Sequence, residues 1–255
     1  MKVYLAGGLT TGNIHVDKIE KVLQELKNDG LKIYILESFL GMASRRRAKN
    51  LSCYADNFML DSGGFSFLSS GKNIDWERYV ARYIEYIKAN NISLFFELDI
   101  DKIIGYDRVK EIRRRLERET GKRPIPVWHR HLGKQEFLRI CDEYDYVAVG
   151  GFAIRDIKIA EYKYIPCFID EAHKRGAKIH GLGFTNLRWL NICHFDSVDS
   201  SSWSIGNRYG RISFFYGRRI MQHATPAGRR GKSLPLSIHN LKEWVKFSNW
   251  AEAHL

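Results

Sequence analysis

The chain has 255 residues, 44% hydrophobic and 13% aromatic, enough to bury the core of one large domain or two small ones, which excludes a disordered or fibrous polypeptide. No run approaches the roughly 18–20 uninterrupted apolar residues of a membrane span, and the opening MKVYLAGGLTTGN meets glycine too early for a secretory signal, so a cytoplasmic protein without a membrane partner is expected. The net charge of +12 points to a polyanionic partner, and four cysteines without a CxxC spacing (Cys53, Cys141, Cys167 and Cys193) suit a reducing compartment better than a disulfide framework.

Short apolar runs rich in β-branched and aromatic residues predict strands over 2–7, 32–38, 58–61, 93–99, 125–130, 146–151, 178–184 and 194–200. Segments of helical period lie between them. HVDKIEKVLQELKNDG reads as an amphipathic helix closed by Gly30, and DWERYVARYIEYIKANN as one opened by Asp75 at its N-cap. Strands that alternate with helices pair in parallel, and eight of them in a chain of this length predict an α/β fold, a (β/α)8 TIM barrel, over residues 1–203. Residues 204–255 are expected to form a short basic extension that packs back on the barrel through Leu241, Trp244, Val245, Phe247 and Trp250 of a last amphipathic helix.

The unusual polar residues fall at strand ends. Asp61, Asp99, His129, Gly150 with Gly151, His180 with Gly181, and Asp199 all lie at or just beyond the C-terminal end of a predicted strand, and in a barrel those ends converge on one mouth where active sites are built. In FMLDSGGFSF the strand delivers Asp61 and two glycines follow at once, allowing either a sharp turn or a close approach to the backbone. Positive charge is also clustered. The triplet Arg45 to Arg47 is one group, and Arg113 to Arg115, interleaved with glutamates in YDRVKEIRRRLERE, is expected to be a solvated helix face. In GRRIMQHATPAGRRGKSLP no acid offsets Arg218, Arg219, Arg229, Arg230 and Lys232, and glycine and proline predict an exposed loop; with Arg208 and Arg211 this series is the candidate contact to nucleic acid.

The motifs LDSGGF, FFELDID, VAVGGFA, HGLGF and DSVDSSSW, in that order from about Leu60 to Arg211, resemble the tRNA-guanine transglycosylase superfamily of queuine and archaeosine type. The small size, and DSVDSSSW where the bacterial tRNA enzymes carry a Cys and a Pro-Thr-Arg, look closer to the branch of phages and bacterial genomic islands that installs 7-deazaguanine bases in DNA. The resemblance implies a pentosyltransferase that exchanges guanine in DNA for a free 7-deazaguanine, preQ0-like base. Alternatives are tRNA as substrate, a non-catalytic nucleic-acid-binding subunit, and a glycosylase that passes the sugar to water. Breaking a glycosidic bond through an oxocarbenium-like transition state calls for a carboxylate at the anomeric carbon and a second carboxyl group to manage protons. By resemblance Asp199 is the nucleophile, forming a covalent Asp–deoxyribose intermediate, and Asp61 the general acid/base, its double glycine leaving room for a flat base.

The resemblance further assigns Asp99 to accept from guanine N1–H and the exocyclic amine, although Asp101 points the same way along an extended strand. His129, where the tRNA enzymes carry glutamine, and the backbone of Gly150 and Gly151 are expected to face O6 and N7. Ser62 and His180 complete the base pocket, with Phe65 and Phe152 as stacking candidates. The structural zinc of the tRNA enzymes uses three cysteines and a histidine after the nucleophile strand. Here no cysteine follows Cys193, and His223, His239 and His254 stand singly, so neither that zinc nor another cofactor is expected. A homodimer is left open.

Overall fold

The computed structural model describes residues 1–7, 16–42, 54–64, 67, 74–184, 186–224 and 234–255. Eight strands, β1 (Lys2–Ala6), β2 (Tyr34–Ser38), β3 (Asn57–Asp61), β4 (Leu94–Phe95), β5 (Val127–Trp128), β6 (Tyr146–Val149), β7 (Lys178–Gly181) and β8 (Ser197–Ser200), form one curled sheet in the order β4-β3-β2-β1-β8-β7-β6-β5. Every pairing is parallel. Each predicted strand is present, and two predictions are trimmed most. Only Leu94–Phe95 of 93–99 and Val127–Trp128 of 125–130 are strand. These two short strands are the edges of the sheet, and they approach each other. Phe96 makes an isolated parallel bridge with Ile125, Ile125 N–H donates to Phe95 O at 2.8 Å, and Glu97 N–H donates to Ile125 O at 3.0 Å.

Both faces of the sheet are buried, which is why its strands read as continuous apolar runs rather than alternating ones. On β1, Val3 and Leu5 join the helix-side core, while Tyr4 and Ala6 join an inner cluster with Tyr34, Leu36, Met59, Phe96, Ile125, Val127 and Ala148. The helix Val16–Asn28 buries Ile19, Val22, Leu23 and Leu26, one stripe at 3.6-residue spacing, and stops at Gly30, whose φ is +77°. Asp75 caps the helix Trp76–Ala89 as expected, accepting from Arg78 N–H at 3.0 Å.

After β8 the chain forms the helix Ser202–Arg208, an antiparallel hairpin of β9 (Arg211–Phe215) and β10 (Ile220–Ala224), and the long helix Leu234–His254. That helix buries Leu241, Trp244, Val245 and Phe247, with Trp250 partly covered. It is fastened to the sheet by Ser248 Oγ donating to Val3 O at 2.8 Å and by Asn249, which accepts from Lys32 N–H and donates to Lys32 O.

Two expectations about charge are corrected. The exposed loop predicted around Arg218 is instead the turn and second strand of the hairpin: Gly217 takes φ +76°, Arg218 and Arg219 are exposed beside it, and the ladder resumes at Ile220. Arg113 is not on a solvated face. It is 3% exposed and grips Glu97 through two bonds of 2.6 and 3.1 Å, while Arg114 stays in solvent. Arg45 to Arg47, Arg229, Arg230 and Lys232 lie outside the described residues. No described helix is long and apolar enough to cross a membrane.

Candidate active site

On β8, Val198 packs into the helix-side core, so Ser197 and Asp199 share the opposite face. The neighbouring strand β7 places His180 level with Ser197. His180 is wholly buried between Tyr4 and Phe96, with ring centroids 6.1 and 5.3 Å away. One assignment of protons satisfies the whole chain of contacts. Tyr146 O–H donates to Ser197 Oγ, Ser197 O–H to His180 Nδ1, and His180 Nε2–H to Asp199 Oδ1 at 3.2 Å. Gly183 N–H donates to the same Oδ1 at 2.5 Å. With two donors on Oδ1, the second carboxylate oxygen of Asp199 is the one left for a ligand.

Asp61 ends β3 opposite Ser38 of β2, and its Oδ2 accepts from Gly63 N–H at 3.0 Å. Burial, joined by the charges of Asp99 and Asp199 and opposed by the Gly63 hydrogen bond, pushes its carboxyl up from 3.8 to about 6. The glycines that follow act differently from the expectation that they clear space for a base. Gly63 turns the chain at φ +83°, and a Cβ on Gly64 would stand 2.3 Å from the carbonyl oxygen of Asp99. The pair brings the Asp61 turn hard against the backbone that carries the next acid.

Asp99 leaves β4 and contacts His129 of the β5 end, Oδ1 to Nε2, at 2.6 Å. Burial alone would lower the imidazole's proton affinity, but the hydrogen bond and charge of Asp99, with Asp101, outweigh it and raise the pKa. Gly150 is the seat of that imidazole, since a Cβ there would lie 2.5 Å from His129 Cε1. Ser62 is also buried, its Oγ 3.4 Å from the Asp99 amide.

A cleft of about 310 Å³ opens above these groups. Asp61, Asp99 and Asp199 all line it, and every strand end contributes: Ala6 of β1 and Gly7 after it, Leu36 and Ser38 of β2, Asp61 of β3, Asp99 after β4, His129 after β5, Gly151 after β6, Gly183 after β7, and Asp199 and Ser201 at β8. Ala153, Ile154 and Leu182 supply further apolar wall. The site residues expected from sequence therefore separate into layers. Asp61, Asp99, Asp199, His129 and Gly151 meet at the cleft, whereas Ser62, Gly150 and His180 stand behind it, holding those that do. Phe152 is corrected from a stacking platform to a core residue. It is 5% exposed and packs edge-on against Phe184 and Tyr162, at 4.8 and 5.6 Å. Phe65 lies outside the described residues.

Sequence reasoning missed Ser38, Ser201 and Leu182. Ser38 stands at the last position of its strand, as Asp61 does, and that shared position was the available signal. Arg211, Arg218 and Arg219 are exposed on the hairpin and do not line the cleft; Arg208 ends the helix Ser202–Arg208. Cys141 and Cys193 are buried free thiols and Cys167 an exposed one. Among the described residues, one cluster has the spacing of metal ligands: Asp99, Asp101 and His129, whose ligand atoms lie within 4.8 Å of one another.

The arrangement offers a carboxylate held in a fixed orientation, a second carboxyl group able to change protonation near neutrality, and an acceptor oriented by an imidazole, all facing one small space. No protein-family model and no curated protein matches the sequence.

Proposed function

We propose that the chain is a guanine transglycosylase built on a (β/α)8 barrel whose seam is the Phe96–Ile125 bridge, and that it exchanges guanine in DNA for a free 7-deazaguanine base. The observation that carries this reading is that Asp61, Asp99 and Asp199, far apart in the chain, line one cleft. The ordered motifs that resemble the superfamily fall on the strand ends that build it.

A guanine in duplex DNA must leave the stack to reach a carboxylate in a barrel mouth, so single-stranded or distorted DNA is the better substrate. Asp99, held by His129, accepts from guanine N1–H and the amine. The free oxygen of Asp199 attacks C1′ as the C1′–N9 bond breaks, its electron pair leaving with the purine, and the Asp61 carboxyl hands its proton to the departing base. With a pKa of about 6, roughly a tenth of Asp61 is protonated at pH 7, and the carboxylate left after transfer can take the N9 proton of the incoming base. That base then attacks C1′ and expels Asp199. Exposed Arg218 and Arg219, within a net charge of +12, suit the phosphate backbone.

The test is incubation of the protein with guanine-containing DNA, and in parallel with tRNA, in the presence of labelled guanine or preQ0. Label is expected in DNA, with loss of incorporation in Asp199→Asn and a mass adduct on Asp199 after denaturation mid-reaction. Label in tRNA alone would reassign the substrate, and abasic sites without label would make the protein a hydrolase. No label in either nucleic acid would overturn the reading.

A further inference from the structure

We propose that Asp99, Asp101, His129 and His131 form a binding site for one divalent first-row transition-metal ion at the rim of the cleft. The sequence carries D-x-D at 99–101 and H-x-H at 129–131, and the fold sets the two motifs side by side, because the edge strands that lead into them meet at the Phe96–Ile125 bridge. The imidazoles turn Nε2 towards the acids, His129 to Asp99 Oδ1 at 2.6 Å and His131 to Asp101 Oδ2 at 2.8 Å. The rings stack with centroids 5.9 Å apart and planes 22° from parallel.

Charge decides against reading this group as two self-sufficient ion pairs. Two carboxylates stand together in a largely buried setting, the side chains of Asp99 and Asp101 being 16% and 7% exposed, and the ligand atoms of Asp99, Asp101 and His129 lie within 4.8 Å of one another. The neighbouring cations are directed elsewhere, Lys102 to Asp156 at 3.5 Å and Arg130 to Glu161 at 2.8 Å. Asp101, 7% exposed in its side chain, keeps a buried Oδ2 that makes no hydrogen bond although His131 Nε2 lies 2.8 Å from it. A divalent cation between the acids and the rings answers the charge and takes one lone pair from each imidazole, at the Nε2 that faces the acids.

Two carboxylates and two imidazoles favour Zn²⁺, Co²⁺, Fe²⁺ or Mn²⁺ over Mg²⁺ or Ca²⁺, which prefer all-oxygen shells, and the absence of thiolate disfavours Cu⁺. His131, with 46% of its side chain exposed, opens the site to solvent. A bound ion would claim the Asp99 carboxylate that base reading also uses, so metal and purine exclude each other there.

The test titrates chelator-treated protein with Zn²⁺ against a chromophoric competitor, beside Asp101→Asn and His131→Ala, with circular dichroism to verify that each variant is folded. It needs no turnover, so its outcome is separate from that of the exchange assay. One equivalent bound by the wild type, weakened at least about tenfold in either variant, is expected. Absence of stoichiometric binding, or affinity unchanged in both variants, would overturn the site. The Co²⁺ form of the wild type should also show hyperfine-shifted proton resonances from ligated imidazoles, and a spectrum without them counts against it equally.

Discussion

Asp61→Asn should make the protein more stable while abolishing exchange, because the carboxylate is held where ionisation is costly. Its pKa is about 6 in the fold against a usual 3.8, and at about 1.4 kcal/mol per pH unit that difference is worth about 3 kcal/mol. The sign follows from proton binding. Between pH 3.8 and 6 the folded chain holds the Asp61 proton more tightly than the unfolded chain does, so this group's contribution to stability falls as pH rises through that window and stays low above it. Asparagine has nearly the same shape and can still accept from Gly63 N–H, but never ionises. At pH 8 the variant should therefore gain about 2–3 kcal/mol, or very roughly 5–10 °C in Tm for a domain of this size, with the gain shrinking towards zero near pH 4. Urea denaturation of both proteins at pH 4.5, 6 and 8 measures it. A variant less stable than wild type at pH 8, or a gap that does not depend on pH, would refute the reasoning that burial beside Asp99 and Asp199 holds this carboxyl above its ordinary range.

Arg113→Met should cost about 3–5 kcal/mol in urea denaturation by stranding Glu97 in the interior, and adding Glu97→Gln should recover much of the loss, since two neutral partners need no counter-charge. His180→Ala removes one of two donors on Asp199 Oδ1; exchange should slow by roughly 10- to 100-fold with a Tm change too small to explain it, and the Asp199 adduct should accumulate more slowly in a rapid quench. Gly64→Ala and Gly150→Ala each place a Cβ against the Asp99–His129 pair, at 2.3 and 2.5 Å, so their losses of stability in denaturation should couple by about 0.5–3 kcal/mol in a double-mutant cycle rather than add. Arg218→Glu with Arg219→Glu should weaken DNA binding across sequences and reduce the slope of log affinity against log salt by about two, read by fluorescence anisotropy.

The sheet was legible because its strands are buried on both faces, and runs such as Tyr146–Val149 carry that burial in their composition. What could not be read was where hydrogen bonding stops. The apolar run from 93 continues past Phe95, but beyond Phe96 the ladder gives way to a side chain: Glu97 Oε1 accepts Val127 N–H at 2.6 Å and takes the place of a backbone carbonyl. Arg113 is a different kind of miss, because its signal was present. Val109, Ile112 and Leu116 are buried on the helix Tyr106–Thr120, and Arg113 falls at the i+4 position of the same stripe. A charged residue on an apolar stripe asks for a buried partner of opposite sign, and Glu97 near the end of an apolar run was the available one.

The acids of the site were visible as strand-end residues, but what the glycines beside them do depends on contacts far away in sequence. Among the described residues two double glycines, Gly63–Gly64 and Gly150–Gly151, divide the work alike: Gly63 and Gly151 take positive φ, at +83° and +95°, while Gly64 and Gly150 give up a side chain so that a residue of the adjoining strand end can come close. Gly64 admits the backbone of Asp99 and Gly150 the ring of His129. Those two residues are themselves bonded at 2.6 Å. Both double glycines thus converge on one hydrogen-bonded pair from opposite sides, β3 pressing on the acid and β6 receiving the imidazole. Local reading treats each GG as a turn or as room for a ligand, and either reading fits the sequence. Only the meeting of β4 with β5 at the sheet's edges makes the two motifs parts of a single clamp, and that meeting is a property of the fold's curvature rather than of any segment within it.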